Sequence, residues 1–191
     1  MTKSKHLLYN FRRCPYAMRA RMGLVRAEIP FDIVEVDFKN KPQDMLDISP
    51  KGTVPVLHTT DGVVIDESIE IVEWALGDRW GEVDKKLIAD NDTWFKSALD
   101  RYKYPSRFAE EDVSNSREIG ANFIAKLDMI VDPHHQTLTD ICIFPFVRQF
   151  AHVDREWFYT LPYRQVIRWL DMNINSPLFK TIFDKSFTGY E

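Results

Sequence analysis

Cys14 is the residue in this sequence best placed to do chemistry. It stands in Phe11-Arg12-Arg13-Cys14-Pro15-Tyr16-Ala17, after the apolar Leu7-Leu8-Tyr9 and before a helix predicted from Pro15 to Arg26. A thiol at the start of a helix lies at its positive end, where the thiolate is favoured. An ordinary thiol, with a pKa of about 8.5, is only slightly ionised at neutral pH, and each unit of depression requires about 1.4 kcal/mol of preference for the anion. Pro15 has no N–H to offer, so the helix-start donors must be those of Tyr16 and Ala17, with Arg12 and Arg13 able to help if their side chains face the thiol. Ala17 stands where a C-x-x-C pair would carry its second cysteine. Cys14 is therefore a monothiol, and any mixed disulfide it forms must be released by an external thiol. Lowering a thiol pKa gives more thiolate but makes it a weaker nucleophile and a better leaving group, a balance suited to reversible exchange. The other cysteine, Cys142, lies in the apolar Ile141-Cys142-Ile143-Phe144 and is expected to be buried core.

The elements around Cys14 read as strand, helix, strand, loop, hairpin, helix. Leu7 to Tyr9 and Phe31 to Val36 are strand candidates, and Ile29-Pro30 closes the intervening helix. The polar segment from Asp37 to Lys51 leads into Thr53-Val54-Pro55-Val56-Leu57. Asp61-Gly62 supplies a turn to Val63-Val64-Ile65, which makes an antiparallel hairpin. Ser68 is expected to cap a helix through Leu76, stopped by Gly77. Beyond Gly77 the period-two signal ends, and helices are predicted over residues 84–104, 114–130, 138–150 and 161–172. Thr137 and Asp140 are spaced to satisfy opposite backbone donors at the third of these. The expectation is an α/β domain with a mixed four-stranded sheet over residues 1–78, followed by an all-α domain over 84–191.

The chain has 191 residues, of which 45% are hydrophobic, and a formal charge of −4. Such a chain can bury a real core and has no general attraction to nucleic acid. The first helix is nevertheless locally basic at Arg12, Arg13, Arg19, Arg21 and Arg26, read as a solvated face, an anion-steering one or a macromolecular contact. Two cysteines and no export-like leader predict a reducing, cytoplasmic setting. No apolar run of about 18 residues is present to span a bilayer. His134 and His135 lie near Asp132 without a metal-binding pattern, so no metal is expected, and no glycine-rich nucleotide fingerprint occurs.

Four segments in order, Phe11 to Ala17, Ser49 to Leu57, Asp66-Glu67-Ser68 and Thr137 to Asp140, resemble the cytosolic glutathione transferase superfamily, particularly its cysteine-bearing, omega-like members and bacterial relatives. The resemblance implies a thioredoxin-like first domain, an all-helical second domain, a homodimer, and glutathione held in the cleft between the domains. By that resemblance Cys14 forms the mixed disulfide with glutathione, and the backbone of Val54 pairs with the cysteinyl part of the tripeptide. Pro55 is then the family's cis-proline. Glu67 meets the γ-glutamyl ammonium, Ser68 its carboxylate, and Lys41 the glycine carboxylate.

The acceptor is expected to be an electrophilic or disulfide small molecule, lined by Trp94, Ala98 and Tyr102, with Arg101 or Lys103 at the rim. The same spacing also describes a core stripe. Tyr9 and Tyr16 are candidate donors near the thiol. The short stretch after Phe187 leaves little chain to cover the acceptor, which predicts an open pocket. The leading reading is a glutathione-dependent thiol transferase or reductase. Conjugation of glutathione to electrophiles, or a non-catalytic binding module of the same fold, are the alternatives.

Overall fold

The structure, a computed structural model, describes residues 5–191. In chain order its elements are β1 (His6–Asn10), α1 (Pro15–Arg26), β2 (Phe31–Glu35), α2 (Gln43–Ile48), β3 (Val56–His58), β4 (Val64–Ile65), α3 (Ser68–Leu76), α4 (Lys85–Asp90), α5 (Lys96–Lys103), α6 (Ser116–Asp128), α7 (Leu138–Ala151), α8 (Arg155–Thr160), α9 (Arg164–Asn175), α10 (Pro177–Phe183) and β5 (Gly189–Tyr190). A π-helical turn, Asn91–Phe95, joins α4 to α5. The chain divides into two units. One runs to Gly81 and resumes over Pro177–Glu191; the other is Glu82–Ser176.

The sheet of the first unit has the order β4-β3-β1-β2-β5. β1 and β2 are parallel because α1 carries the chain back between them, whereas β3 runs antiparallel to β1 and to β4. Successive strand residues face opposite sides, so Leu8 and Leu57 enter one apolar cluster with Ala20, Leu24, Phe31 and Ile71. Tyr9 and Val56 enter another, with Val36, Met45 and Val54. Each face of the sheet is thereby covered, the first by α1 and α3 and the second by α2. The Tyr9 hydroxyl donates to Asp44 at 2.8 Å, and burial, reinforced by that carboxylate, pushes its pKa up to about 12. A raised phenol pKa favours the neutral form in the fold. The stability it contributes is present below about pH 10 and is lost between about pH 10 and 12. Alkaline ultraviolet titration should accordingly show a late-ionising phenol that disappears in Tyr9→Phe.

The expected second domain reaching residue 191 is corrected at its end, as is the four-stranded sheet. α10 buries Phe179 and Ile182, and Phe187 sets its ring edge-on to Phe31 at 6.1 Å. Gly189 and Tyr190 then pair antiparallel with Asp32 and Phe31 as a fifth strand. Gly189 has φ +153°, and a Cβ there would lie 2.2 Å from the Phe31 carbonyl oxygen, so only glycine allows this close approach. The last fifteen residues are thus apolar enough, and sterically suited, to complete the first unit rather than the helical one.

In the helical unit, the expected helix over 84–104 is divided by the π turn. That turn brings Trp94 and Phe95, adjacent in sequence, both onto Phe123, edge-on at 5.4 Å and stacked at 4.3 Å. Thr137 and Asp140 form the expected reciprocal cap of α7: Asp140 N–H donates to the Thr137 hydroxyl at 3.1 Å, and Thr137 N–H donates to the Asp140 carboxylate at 2.7 Å. Burial pushes the Asp140 carboxyl up, against the Thr137 hydrogen bonds. Gly120 of α6 faces Phe150 of α7, and a Cβ on it would meet that ring at 2.3 Å. The ring is fully buried against Phe95, Tyr102, Trp157 and Phe158, so it has nowhere to retreat. Gly120→Ala should therefore destabilise by about 1–2 kcal/mol, although alanine gains up to about 1 kcal/mol in helix propensity. The midpoint of chemical denaturation reads this sign directly.

Candidate functional site

Cys14 is the residue that begins α1. Its N–H donates to the Phe11 carbonyl at 2.9 Å, closing a turn, and its carbonyl accepts from Met18 N–H at 2.9 Å, opening the helix. Pro15 occupies the first helical position, where a missing N–H costs nothing. The thiol is half-buried, with Sγ 4.0 Å from the Val54 carbonyl oxygen, and the Val54–Pro55 peptide is cis. No side chain caps α1 and no acidic residue sits in its first turn, so nothing on the helix itself competes with an anion at Cys14.

Cys14 opens onto a cavity of ≈ 370 Å³ that is lined also by Tyr16, Phe38, Thr53, Val54, Pro55, Asp66, Glu67 and Ser68. Four of the five binding positions expected from the sequence thus converge: Val54, Pro55, Glu67 and Ser68 line the same space as the thiol. Lys41 does not line it. Its ammonium lies 5.8 Å from the ring of Phe38, at the rim. Ser68 is the first residue of α3 rather than its cap; Glu67 holds the cap position and makes no side-chain capping bond. The Ser68 hydroxyl instead accepts from the buried guanidinium of Arg19, at 3.1 Å from Nε and 2.9 Å from Nη2. Burying a guanidinium on α1 demands acceptors, and Ser68 supplies one. By contrast α4, α7 and α8 carry side-chain caps from Asp84, Thr137 and Asp154. The cavity therefore receives the starts of two helices, α1 and α3, neither closed by a capping side chain.

Charge in the cavity is organised by a lysine that sequence reasoning passed over. Lys51 pairs with Glu67 at 2.6 Å and Asp66 at 3.2 Å. Burial pushes the Asp66 carboxyl up, but the Ser49 hydroxyl, donating at 2.8 Å, and Lys51 outweigh it and hold the group below its usual value. Lys51 is held above its usual value by the same two carboxylates, against its own partial burial. The alternation of Ser49, Lys51, Asp66 and Glu67 across two loops carries no periodic signal, and only the fold brings them together.

Several expected positions have other occupations. Tyr9 is committed to Asp44, leaving Tyr16 as the tyrosine at the cavity. Arg19 and Arg21, read as part of a basic face, are both buried. Arg21 donates to the carbonyls of Ile182 at 2.7 Å, Arg12 at 2.6 Å and Ala17 at 3.3 Å. Burial lowers its pKa to about 10, so it stays charged at neutral pH. Ala98 is buried and the Tyr102 ring rests on Phe150 and Trp157 within the helical unit, whereas Trp94, edge-on to Phe123, remains exposed. Cys142 is fully buried, as expected. Among the described residues, no helix is long and apolar enough to cross a membrane, and no cluster of three or more His, Cys, Asp or Glu side chains could hold a metal.

Residues 13–76 match the family model described as glutathione S-transferase, N-terminal domain. A probable glutathione transferase of Aplysia californica is 41% identical over 69 residues, which are 35% of this chain and 75% of that protein. The chain belongs to the glutathione transferase superfamily. Mouse glutathione S-transferase omega-1 is 31% identical over 144 residues, 69% of this chain, and the match spans only 58% of the mouse protein's length. A glutathione transferase homologue from Sulfitobacter, solved with bound glutathione, superposes with a TM-score of 0.75 at 17% identity, covering 96% of this chain and 99% of that one. The glutathione transferase fold, a mixed-sheet first unit followed by helices, accordingly extends over nearly the whole chain.

Proposed function

We propose that the protein is a glutathione-dependent thiol transferase in which Cys14 is the attacking thiol. The observation that carries this reading is the convergence, on one cavity, of a half-buried thiol and two helix starts that no side chain caps. Uncapped helix starts favour anions, here a thiolate at α1 and a carboxylate at α3. The cavity falls within the roughly 300–1,000 Å³ range of small-molecule sites. Glutathione fits its polar groups. The γ-glutamyl carboxylate meets the start of α3 at Ser68, its ammonium meets Glu67 and Asp66, and the cysteinyl part lies along Val54, whose carbonyl faces Cys14. Lys41, at the rim beyond Phe38, is placed for the far carboxylate only if its side chain swings inward. Membership of the cysteine-bearing, omega-like group is part of this reading, as are a homodimeric state and a cytoplasmic setting.

The chemistry divides into two exchanges. The Cys14 thiolate attacks the glutathionyl sulfur of a mixed disulfide R–S–S–G; the new S–S bond joins Cys14 to glutathione, the S–S bond of the mixed disulfide breaks, and its electron pair leaves on R–S⁻, which takes up a proton. A second glutathione thiolate then attacks the glutathionyl sulfur on Cys14, releasing glutathione disulfide and restoring the thiolate. The absence of a second cysteine at position 17 requires this external thiol. The experiment is steady-state turnover of the purified chain with glutathione and the mixed disulfide of glutathione and 2-mercaptoethanol, followed by formation of glutathione disulfide. Protein-dependent turnover is expected, and rates equal to the protein-free reaction overturn the assignment.

A further inference from the structure

Arg21 is only 2% exposed, yet it stays charged at neutral pH. Its hydrogen bonds go to neutral acceptors: Nη2 donates to the Arg12 carbonyl at 2.6 Å, Nη1 to that of Ile182 at 2.7 Å and Nε to that of Ala17 at 3.3 Å. Carbonyls satisfy the N–H groups of a guanidinium without cancelling its charge, and a buried charge is ordinarily paired. Burial lowers the Arg21 pKa, and the groups acting against burial are the Glu35 carboxylate and then Cys14 as thiolate. Glu35 is itself exposed and already accepts from the Asn10 side chain and, at 2.8 Å, from Arg12 N–H. The charge reaches the thiol because of where Arg21 stands on α1. It lies about two turns beyond Cys14, and a long side chain on a helix leans toward the N-terminus. Its acceptors fix how far it leans, since Ala17 is in the first turn and Arg12 precedes Cys14 in the turn that Cys14 N–H closes on the Phe11 carbonyl. The guanidinium therefore runs along the start of α1, joined to carbonyls that bracket Cys14 in the chain.

We propose that Arg21 is a positioning residue for the exchange at Cys14: it holds the turn that presents the thiol and supplies the sulfur with a buried positive charge. The assignment rests on the thiol-exchange reading above. The charge serves both exchanges. In the first it favours the thiolate that attacks. In the second, a glutathione thiolate attacks the glutathionyl sulfur, the S–S bond to Cys14 breaks, and its electron pair returns to the Cys14 sulfur, where the guanidinium stabilises the charge as it develops. Other ionisable groups face the same region. Asp66 and Glu67, held by Lys51, line the cavity with Tyr16 and oppose an anion there, while Arg12 and Arg13 adjoin the thiol in its turn. Asp184 and Lys185 follow α10, with Asp184 turned onto Ser186, whose N–H donates at 2.7 Å. All of these are half-buried or exposed and screened by water, whereas Arg21 acts through the interior.

The test is the pH dependence of Cys14 alkylation by iodoacetamide in the full chain, followed on the Cys14 peptide by mass spectrometry. It needs neither glutathione nor turnover, so it is independent of the exchange reading. Arg21→Gln removes the charge but keeps an amide donor, and Arg21→Lys keeps the charge but cannot span the three carbonyls. The midpoint of the rate profile should rise by at least about half a pH unit in Arg21→Gln and stay within about 0.3 of the wild type in Arg21→Lys, with circular dichroism establishing the fold of each. A midpoint unchanged in Arg21→Gln, or raised equally in both variants, overturns the charge assignment and leaves Arg21 a brace alone. If Arg21→Gln does not fold, Glu35→Gln decides: at this exposed position the amide still accepts, the Arg21 charge is less offset, and the midpoint should fall by at least about 0.3 pH unit. An unchanged midpoint there overturns the proposal. If the chain does not exchange thiols but the profiles move as expected, the exchange reading is overturned and the electrostatic role of Arg21 at the thiol is upheld.

Discussion

Cys14→Ser should lower turnover of a glutathione mixed disulfide by at least about 10³-fold while leaving glutathione affinity within a few-fold of the wild type. The serine oxygen cannot form the mixed-disulfide intermediate, and its pKa keeps it protonated. The groups proposed to bind glutathione are elsewhere: the start of α3 at Ser68, the carboxylates of Asp66 and Glu67 held by Lys51, and the Val54 backbone. Serine also suits the start of α1 and should leave the helix intact. Turnover assays with calorimetric measurement of glutathione binding separate the two effects. Retained turnover would transfer the chemistry to another group, with Tyr16, the tyrosine lining the cavity, the first to examine.

Arg21→Met should be the most damaging substitution outside the reacting thiol, costing about 3–5 kcal/mol in stability. Arg21 is 2% exposed, and its guanidinium reaches three carbonyls, those of Ala17, Arg12 and Ile182. Methionine fills the volume but leaves the Arg12 and Ile182 oxygens without that donor, one in the turn before Cys14 and the other at the end of α10. Against a typical stability of about 5–15 kcal/mol, such a loss is severe, and in a chain of this size it corresponds to a fall in Tm of roughly 10 °C. Arg21→Lys should recover part of it, because one ammonium cannot span acceptors that the planar guanidinium joins. Differential scanning calorimetry of the two variants measures both steps. The brace also links stability to function, since one of its three bonds fixes the turn that presents the thiol.

Much of this arrangement is readable before the fold is seen, and the reasons are local. α1 begins and ends where Pro15 and the Ile29-Pro30 pair require, and the hairpin of β3 and β4 follows from apolar runs flanking Asp61-Gly62. The capping pair Thr137 and Asp140 acts within four residues, so spacing alone identifies it. α2 escapes notice because it is six residues long and buries only Met45, too little for a periodic pattern. β5 is two residues, and its place is set by Phe31, more than 150 positions earlier in the chain, which no window can sense. The arginines of α1 mislead for a related reason: composition marks them as surface, but Arg19 and Arg21 are buried because Ser68 and three backbone carbonyls accept from them. At the site, Cys14, Val54, Pro55, Glu67 and Ser68 were each legible as residue types in a motif. The Lys51 pairing with Asp66 and Glu67 was not, since it depends on two loops meeting.

The most direct test of the central claim is to incubate the reduced protein with glutathione disulfide and locate the adduct by peptide mass spectrometry. The Cys14 thiolate should take one glutathionyl group and expel glutathione thiolate, giving an adduct on the peptide containing Cys14 that added glutathione removes. The buried Cys142 should remain unmodified while the protein is folded. An adduct confined to Cys142, or no adduct at any pH at which the fold is intact, would contradict the assignment of Cys14 as the exchanging thiol.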